Sequence, residues 1–464
     1  MWFLILSTAL LLLIFKLKKV FSYWKDRGVD YVNPLYYFGS FYENILRCNS
    51  RGDILHDIYN KFPNKRYVGF YNCFQPILLI RDIELIKRIT VKDHETFHSH
   101  SEFIPPELDS LWSRNIVALQ DRKLWNNLRS SLTPIFTTYN LKSSFTILQQ
   151  FSNNFVNYLV NKSDGKNIIV EMKEITQRFS SDITAYYYFG AKCDAINNPD
   201  NQVHRMMGKA MMLSFLNTYT NVMGKLCPKI LKWTGARAYS QEVRNFFFDI
   251  MKQSIKIRLE NKSSTSDVIS ALMRFYKAEE YHINDVDSNI LEDITAHAFV
   301  LLFSEYESVT SILSLIWYEL TLNPDIQRKL YEEIVDTLEK FGGSVSYDAI
   351  MSMGYLDNFF DEILRLHQPN SIIDRRAMRD YIIEAENPGE KDIIIEKGAT
   401  IWILQKGIQM DPDYFSNPET FDPDRFSNEN KHNIKNGANM PFGSGPRSCP
   451  GNREFYTNYC ISIF

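Results

Sequence analysis

The run Phe442-Gly443-Ser444-Gly445-Pro446-Arg447-Ser448-Cys449-Pro450-Gly451 decides how the rest of the chain is read. Two glycines, a proline and an arginine lead into one cysteine and a closing glycine, a composition that makes a tight loop presenting a sulfur and not a core strand. A thiolate is a strong, soft ligand for iron, and it persists as thiolate where cationic groups and backbone N–H donors surround it. Arg447 and the open backbone at Gly443, Gly445 and Gly451 offer both. A lone cysteine in a Gly-rich turn is more often a buried free thiol. It is the whole pattern, not the cysteine by itself, that turns the reading towards a metal ligand.

The chain around this loop has 464 residues, 45% of them hydrophobic and 14% aromatic, enough to bury a sizeable core. A formal charge of -3 and a pI near 6.3 give no basis for a nucleic-acid partner. The six cysteines, at 48, 73, 193, 227, 449 and 460, form no C-x-x-C pair and no disulfide framework, which fits a reducing compartment. The histidines show no zinc spacing. The local cluster His94, His98 and His100 reads as loop surface.

Trp2 to Phe15 is almost unbroken apolar sequence, closed by Lys16, Lys18 and Lys19 with Arg27 beyond. The run is short for a membrane span of about 20 residues, but Leu17, Val20 and Phe21 with snorkelling lysines extend it into range. A cleaved signal peptide is the alternative. Because the basic residues follow the apolar run and no small-x-small site closes it, an uncleaved anchor with the remainder in the cytosol is expected. Residues 1–22 are then the anchor, 23–40 a hinge, and 41–464 one catalytic domain.

Arg66 to Arg81 carries short apolar and β-branched runs broken at Asn72 and Pro76, as strands do. From Asp121 to about Arg365 the pattern is mainly helical, without repeats or Gly/Ser linkers. Trp125 and Arg129 fall four residues apart on one helical face, with an exposed tryptophan–arginine stack as the plain reading. Met206 to Trp233, rich in methionine and aromatics, suits ordinary core, a pocket lining or a membrane-facing surface. Asn289 to Leu320 reads as one long helix holding Phe303-Ser304-Glu305-Tyr306-Glu307-Ser308-Val309-Thr310. An acid followed by a hydroxyl inside an apolar helix is costly unless it has a partner or a task, and proton delivery is such a task. Glu362 and Arg365, at i and i+3 on the helical pattern Tyr355 to His367, are by themselves no more than an ordinary helix-surface pair.

Taken together these segments resemble the cytochrome P450 family, the haem-thiolate monooxygenases. F-G-x-G-P-R-x-C-x-G resembles its haem loop, Trp125-x-x-x-Arg129 its propionate-binding helix, Glu307-Ser308 the acid and alcohol of A-G-x-[DE]-T, and Glu362-x-x-Arg365 its E-x-x-R. Phe421-Asp422-Pro423-Asp424-Arg425-Phe426 is similar to the P-E-R-F segment, and Asp374 to Tyr381 to the strand whose arginine reaches a propionate. All occur in family order. The resemblance implies a mainly α fold with a smaller β region and an N-terminal anchor to the endoplasmic reticulum, the catalytic part facing the cytosol. It implies haem b held by Cys449, with Trp125, Arg129, Arg375, Phe442 and Arg447 around it, Glu307 and Ser308 as the catalytic acid and alcohol, and Glu362, Arg365 and Arg425 as a structural network. It also implies NADPH-cytochrome reductase, O2, membrane lipid and a small apolar substrate as partners. The stretch His98 to Glu107 and the helix Asp121 to Phe136 look most like insect microsomal members that handle foreign compounds.

Two departures stand out. Glu305 occupies the position where the family has glycine, and Ser308 replaces threonine. A carboxylate at 305 is expected to crowd or re-charge the oxygen pocket, unless the side chain turns away from it. From Glu454 onward the sequence stops resembling the family, so a C-terminally incomplete domain is expected, and with it the alternative of a membrane-bound haem or ligand binder without turnover.

Overall fold

The structure is a computed structural model and describes residues 15, 17–35, 39–40, 50–101, 109–211, 237–261, 267–278 and 287–453. The apolar run Trp2 to Ile14, most of Met206 to Trp233, most of the stretch His98 to Glu107 and the tail from Glu454 therefore lie outside the described residues. Contacts group the chain into two compact units. One comprises Met1–Ser101, Asn370–Thr420 and Asn430–Ser448, and the other Glu102–Pro369, Phe421–Glu429 and Cys449–Phe464.

The first unit is built on a four-stranded sheet in the order β1-β2-β6-β3, formed by Tyr67–Asn72, Gln75–Ile80, Thr400–Ile403 and Ile373–Arg376. β1 and β2 form an antiparallel hairpin whose turn residue Cys73 takes a left-handed φ of 55°. Continuous apolar runs such as Ile77-Leu78-Leu79-Ile80, buried on both faces, suit central strands. β2 pairs parallel to β6 in the register Leu78↔Ile401, and β3 lies antiparallel to β6 with Arg375 opposite Ile401. A two-stranded sheet, β4 (Tyr381–Ile383) with β5 (Ile393–Ile395), completes the unit's strands among the described residues. The residues just after the N-terminal apolar run dock on this sheet. Trp24 is buried, its indole N–H donates to the Phe70 carbonyl (3.0 Å), and its ring lies so close to Gly69 that a Cβ there would meet it at 2.4 Å.

The second unit is helical. Its axis is the helix Ser288–Leu322, apolar over nearly its whole circumference and hence a core helix. Met172–Phe189 runs along it, and the buried small residues Ser180, Thr184 and Ala185 let the two backbones approach. The Ser180 hydroxyl donates to the Tyr306 carbonyl (3.1 Å) and Thr176 to that of Thr310 (3.3 Å). Aromatic packing of Phe299 against Tyr239 and Phe247, with ring centroids 5.0 and 4.9 Å apart, ties in the helix Gln241–Asn261. The mainly α fold with a small β region is the one expected from the sequence. Among the described residues, Ser288–Leu322 is the only helix long and apolar enough to cross a membrane, and its packing identifies it as core.

Within the histidine cluster, His100 differs from the sequence reading as loop surface. His100 is partly buried, its Nδ1 2.8 Å from Asp374 Oδ1, while the Ser101 N–H donates to the other carboxylate oxygen (2.6 Å). The partner on β3 lies far away in sequence, which is why the local pattern gave no sign of it.

Candidate active site

In the second unit, Asp121 starts the helix Arg122–Leu132 by accepting from the Leu124 N–H (2.7 Å). Leu128, Leu132 and Trp125 fall on its buried face, and Trp125 keeps 6% of its surface accessible. Arg129, one turn after Trp125, is half-buried. Burial pulls its guanidinium below the ordinary arginine range, and the charge of Cys449 acts in the opposite direction. Cys449 is a free, exposed cysteine.

The rest of the cysteine loop belongs to the first unit. Gly443 and Gly445 adopt φ of +79° and +75°, which glycine takes without strain. At Gly445 the need is also steric, since a Cβ there would lie 1.9 Å from the Thr90 carbonyl oxygen. The loop closes on itself through Gly443 N–H to Met440 O and Ser448 N–H to Gly445 O, both 3.0 Å. Phe442 and Arg447 are half-buried along it. Arg375, on β3, keeps 2% of its surface accessible. Its guanidinium donates to the carbonyls of Asp374 (2.7 Å) and Ser444 (3.4 Å), the second of which lies in the loop. Burial lowers its pKa and the Asp374 charge counteracts this.

Glu362, on the helix Gly354–Leu366, is fully buried and accepts from Arg365 Nε (2.6 Å) and Nη2 (2.8 Å). Arg425 Nε stands 3.5 Å from the same carboxylate, and the Asp422 N–H donates to it (2.9 Å). Phe421 packs edge-on against Phe359, ring centroids 5.5 Å apart. The acid, the two arginines and the Phe421–Phe426 segment thus form one assembly.

On the long helix, Glu307 is exposed and Ser308 half-buried. The Ser308 hydroxyl donates to the Ser304 carbonyl one turn earlier (2.7 Å), and Ser304 in turn to Val300 (2.8 Å). Such back-bonding lets a hydroxyl sit in an apolar helix without an unmet donor. The Tyr306 phenol is buried, and burial and the Glu307 charge raise its pKa. Sequence reading missed Tyr306 and the polar chain Asp109–Arg244, Ser110–Glu292 and Arg114–Asp293, whose members are scattered and carry no spacing signal.

A family model for cytochrome P450 matches residues 33–453. The chain is a cytochrome P450. Among its relatives, cytochrome P450 6j1 of Blattella germanica is 32% identical over 437 residues, which cover 94% of this chain and 84% of that one. Cytochrome P450 9e2 of the same species is 30% identical over 457 residues (93% and 84%), and cytochrome P450 6B1 of Papilio polyxenes 32% over 463 (97% and 89%). The protein is thus a monooxygenase with haem b as its cofactor, bound in this family through a cysteine thiolate.

The donor set fits that group. A soft, exposed sulfur whose charge reaches a guanidinium suits iron with a thiolate ligand. Arg375 is a buried cation which, among the described residues, donates to backbone carbonyls and forms no ion pair, a state that an anionic propionate would complete.

Proposed function

We propose that this cytochrome P450 inserts one atom of O2 into a small apolar molecule, with electrons that originate in NADPH and arrive through a separate NADPH-cytochrome reductase. Cys449 would bind the iron as a thiolate, and the free, exposed Cys449 whose charge reaches Arg129 is the observation that carries this reading. Bound haem supplies the activation of oxygen, which thiolate ligation favours by donating electron density. Trp125, Arg129, Arg375 and Arg447 hold the propionates, each as a hydrogen-bond donor and the three arginines also as cations. Phe442 lines the start of the loop. Glu307, open to solvent, takes up protons, and the Ser308 hydroxyl holds water on the reacting side. Glu362, Arg365 and Arg425 fix the helix and the Phe421–Phe426 segment as one block.

An apolar substrate is in keeping with the long helix. Its Phe303, next to Ser304, packs edge-on against Trp112 with ring centroids 5.6 Å apart, and the surrounding cluster is aliphatic and aromatic. The organisation we propose is an anchor at 1–22, a hinge at 23–40 and the catalytic part at 41–464, held at the endoplasmic reticulum membrane and facing the cytosol. The basic residues Lys16, Lys18 and Lys19 after the apolar run support that orientation.

The test is the carbon-monoxide difference spectrum of the reduced protein in membranes. The strongly red-shifted Soret band of thiolate-bound haem is expected, and Cys449→Ala abolishes it. A band unchanged by the substitution would remove Cys449 from the iron.

A further inference from the structure

Ser308 is read above as the hydroxyl on the reacting side, and the present inference rests on that reading. An α-helix turns about 100° per residue, so Glu307 points about 100° away from Ser308, whereas Glu305, three residues back, lies within about 60° of it. Exposure agrees with this geometry. Glu307 is exposed. Glu305 is half-buried, with its Oε2 shielded from solvent. Leu301, Ser304, Glu305, Ser308 and Ile312 follow one another at i, i+3 and i+4 and form one face, and the Ser308–Ser304 hydrogen bond runs along it.

We propose that Glu305, and not Glu307, is the carboxylate that shares the reacting face with Ser308, and that its charge sets the electrostatic field felt by a small ligand on the haem iron. A carboxylate there accepts hydrogen bonds from water and disfavours anionic ligands, while the neighbouring acid faces solvent.

The experiment uses the haem-loaded full chain and reads ligands, not turnover. In the ferrous carbon-monoxide complex, Glu305→Gln is expected to lower the C–O stretching frequency, because a negative charge near the bound ligand is removed. In the ferric protein the same substitution is expected to tighten cyanide binding about tenfold, equivalent to about 1.4 kcal/mol. Glu307→Gln leaves both readouts where they are. Glu305→Gly, which removes the side chain altogether, serves as a second variant and is expected to act in the same direction. Unmoved readouts in the Glu305 variants, or equal shifts in the Glu307 variant, would overturn the proposal. So would loss of haem from both Glu305 variants alone, since the residue would then be structural. Absence of a thiolate-haem band in the unsubstituted protein would instead strike the haem-site reading on which the proposal stands.

Discussion

Arg365 and Arg375 are close in sequence and equally hidden, with 1% and 2% of their surfaces accessible, yet they are held in opposite ways. Arg365 forms a two-pronged pair with the buried carboxylate of Glu362, which also accepts from the Asp422 backbone. Arg375 donates to backbone carbonyls, one of them in the cysteine loop, and its burial lowers its pKa. Taking a guanidinium out of water is tolerable only when its charge is answered. For Arg365 the chain supplies the answer itself. Arg375 has the chemistry of a cation prepared for an anion from outside, as a haem carboxylate would be. The difference separates a residue whose charge is met within the fold from one that the proposed function assigns to the haem.

The largest expected effect breaks the first half of this comparison. Glu362→Ala removes the shared acceptor and strands the buried Arg365 charge, with Arg425 beside it, at a loss of about 3–5 kcal/mol in stability. Denaturant unfolding of the apoprotein measures it. Because the network is complete without haem, the loss is expected in the haem-free protein as well. Intact stability in the haem-free variant would show that the pair contributes nothing to the fold itself.

The second half predicts a smaller effect with a different signature. Arg375→Leu is expected to leave the unfolding midpoint of the apoprotein within about 1 kcal/mol, since a well-packed apolar replacement for a buried charge is often neutral. Haem dissociation into an acceptor protein should quicken about tenfold, or about 1.4 kcal/mol. If the apoprotein lost as much stability as the holoprotein, Arg375 would belong with Arg365 after all.

The two arginines were not equally legible beforehand. Glu362 and Arg365 stand at helical spacing, so their proximity was readable, but Arg425 joins them only through tertiary packing. The cysteine loop was legible because its requirements are local. Two positive φ values call for glycine, and the contact of Gly445 with the Thr90 carbonyl leaves no room for anything larger. The helical class followed from long periodic stretches, and strands in this region from short apolar and β-branched runs, though the break expected at Pro76 falls inside β2. What escaped were pairings between distant residues of ordinary type. The His100–Asp374 contact was hidden inside a stretch that reads as surface.

A buried base can also meet the cost of burial in a third way, by declining its charge. His297, on the long helix, has no accessible surface. Its Nε2 lies 2.7 Å from the Tyr276 hydroxyl, and the two rings stack with centroids 5.8 Å apart. Burial pulls its pKa down to about 3, far below an ordinary histidine. The sign follows directly. Between that value and the ordinary one near 6.5, the unfolded chain binds a proton that the folded chain refuses, so stability is full above about pH 6.5 and falls as the pH drops towards the folded value. The slope from this one group is at most about 1.4 kcal/mol per pH unit. His297→Gln, which keeps a hydrogen-bonding side chain and cannot titrate, is expected to flatten the stability profile between pH 6 and 4 by up to that slope, as read from denaturant midpoints at each pH. An unchanged profile would mean that the folded protein admits the proton, and that His297, like Arg375, is a buried base answered by something other than its own neutrality.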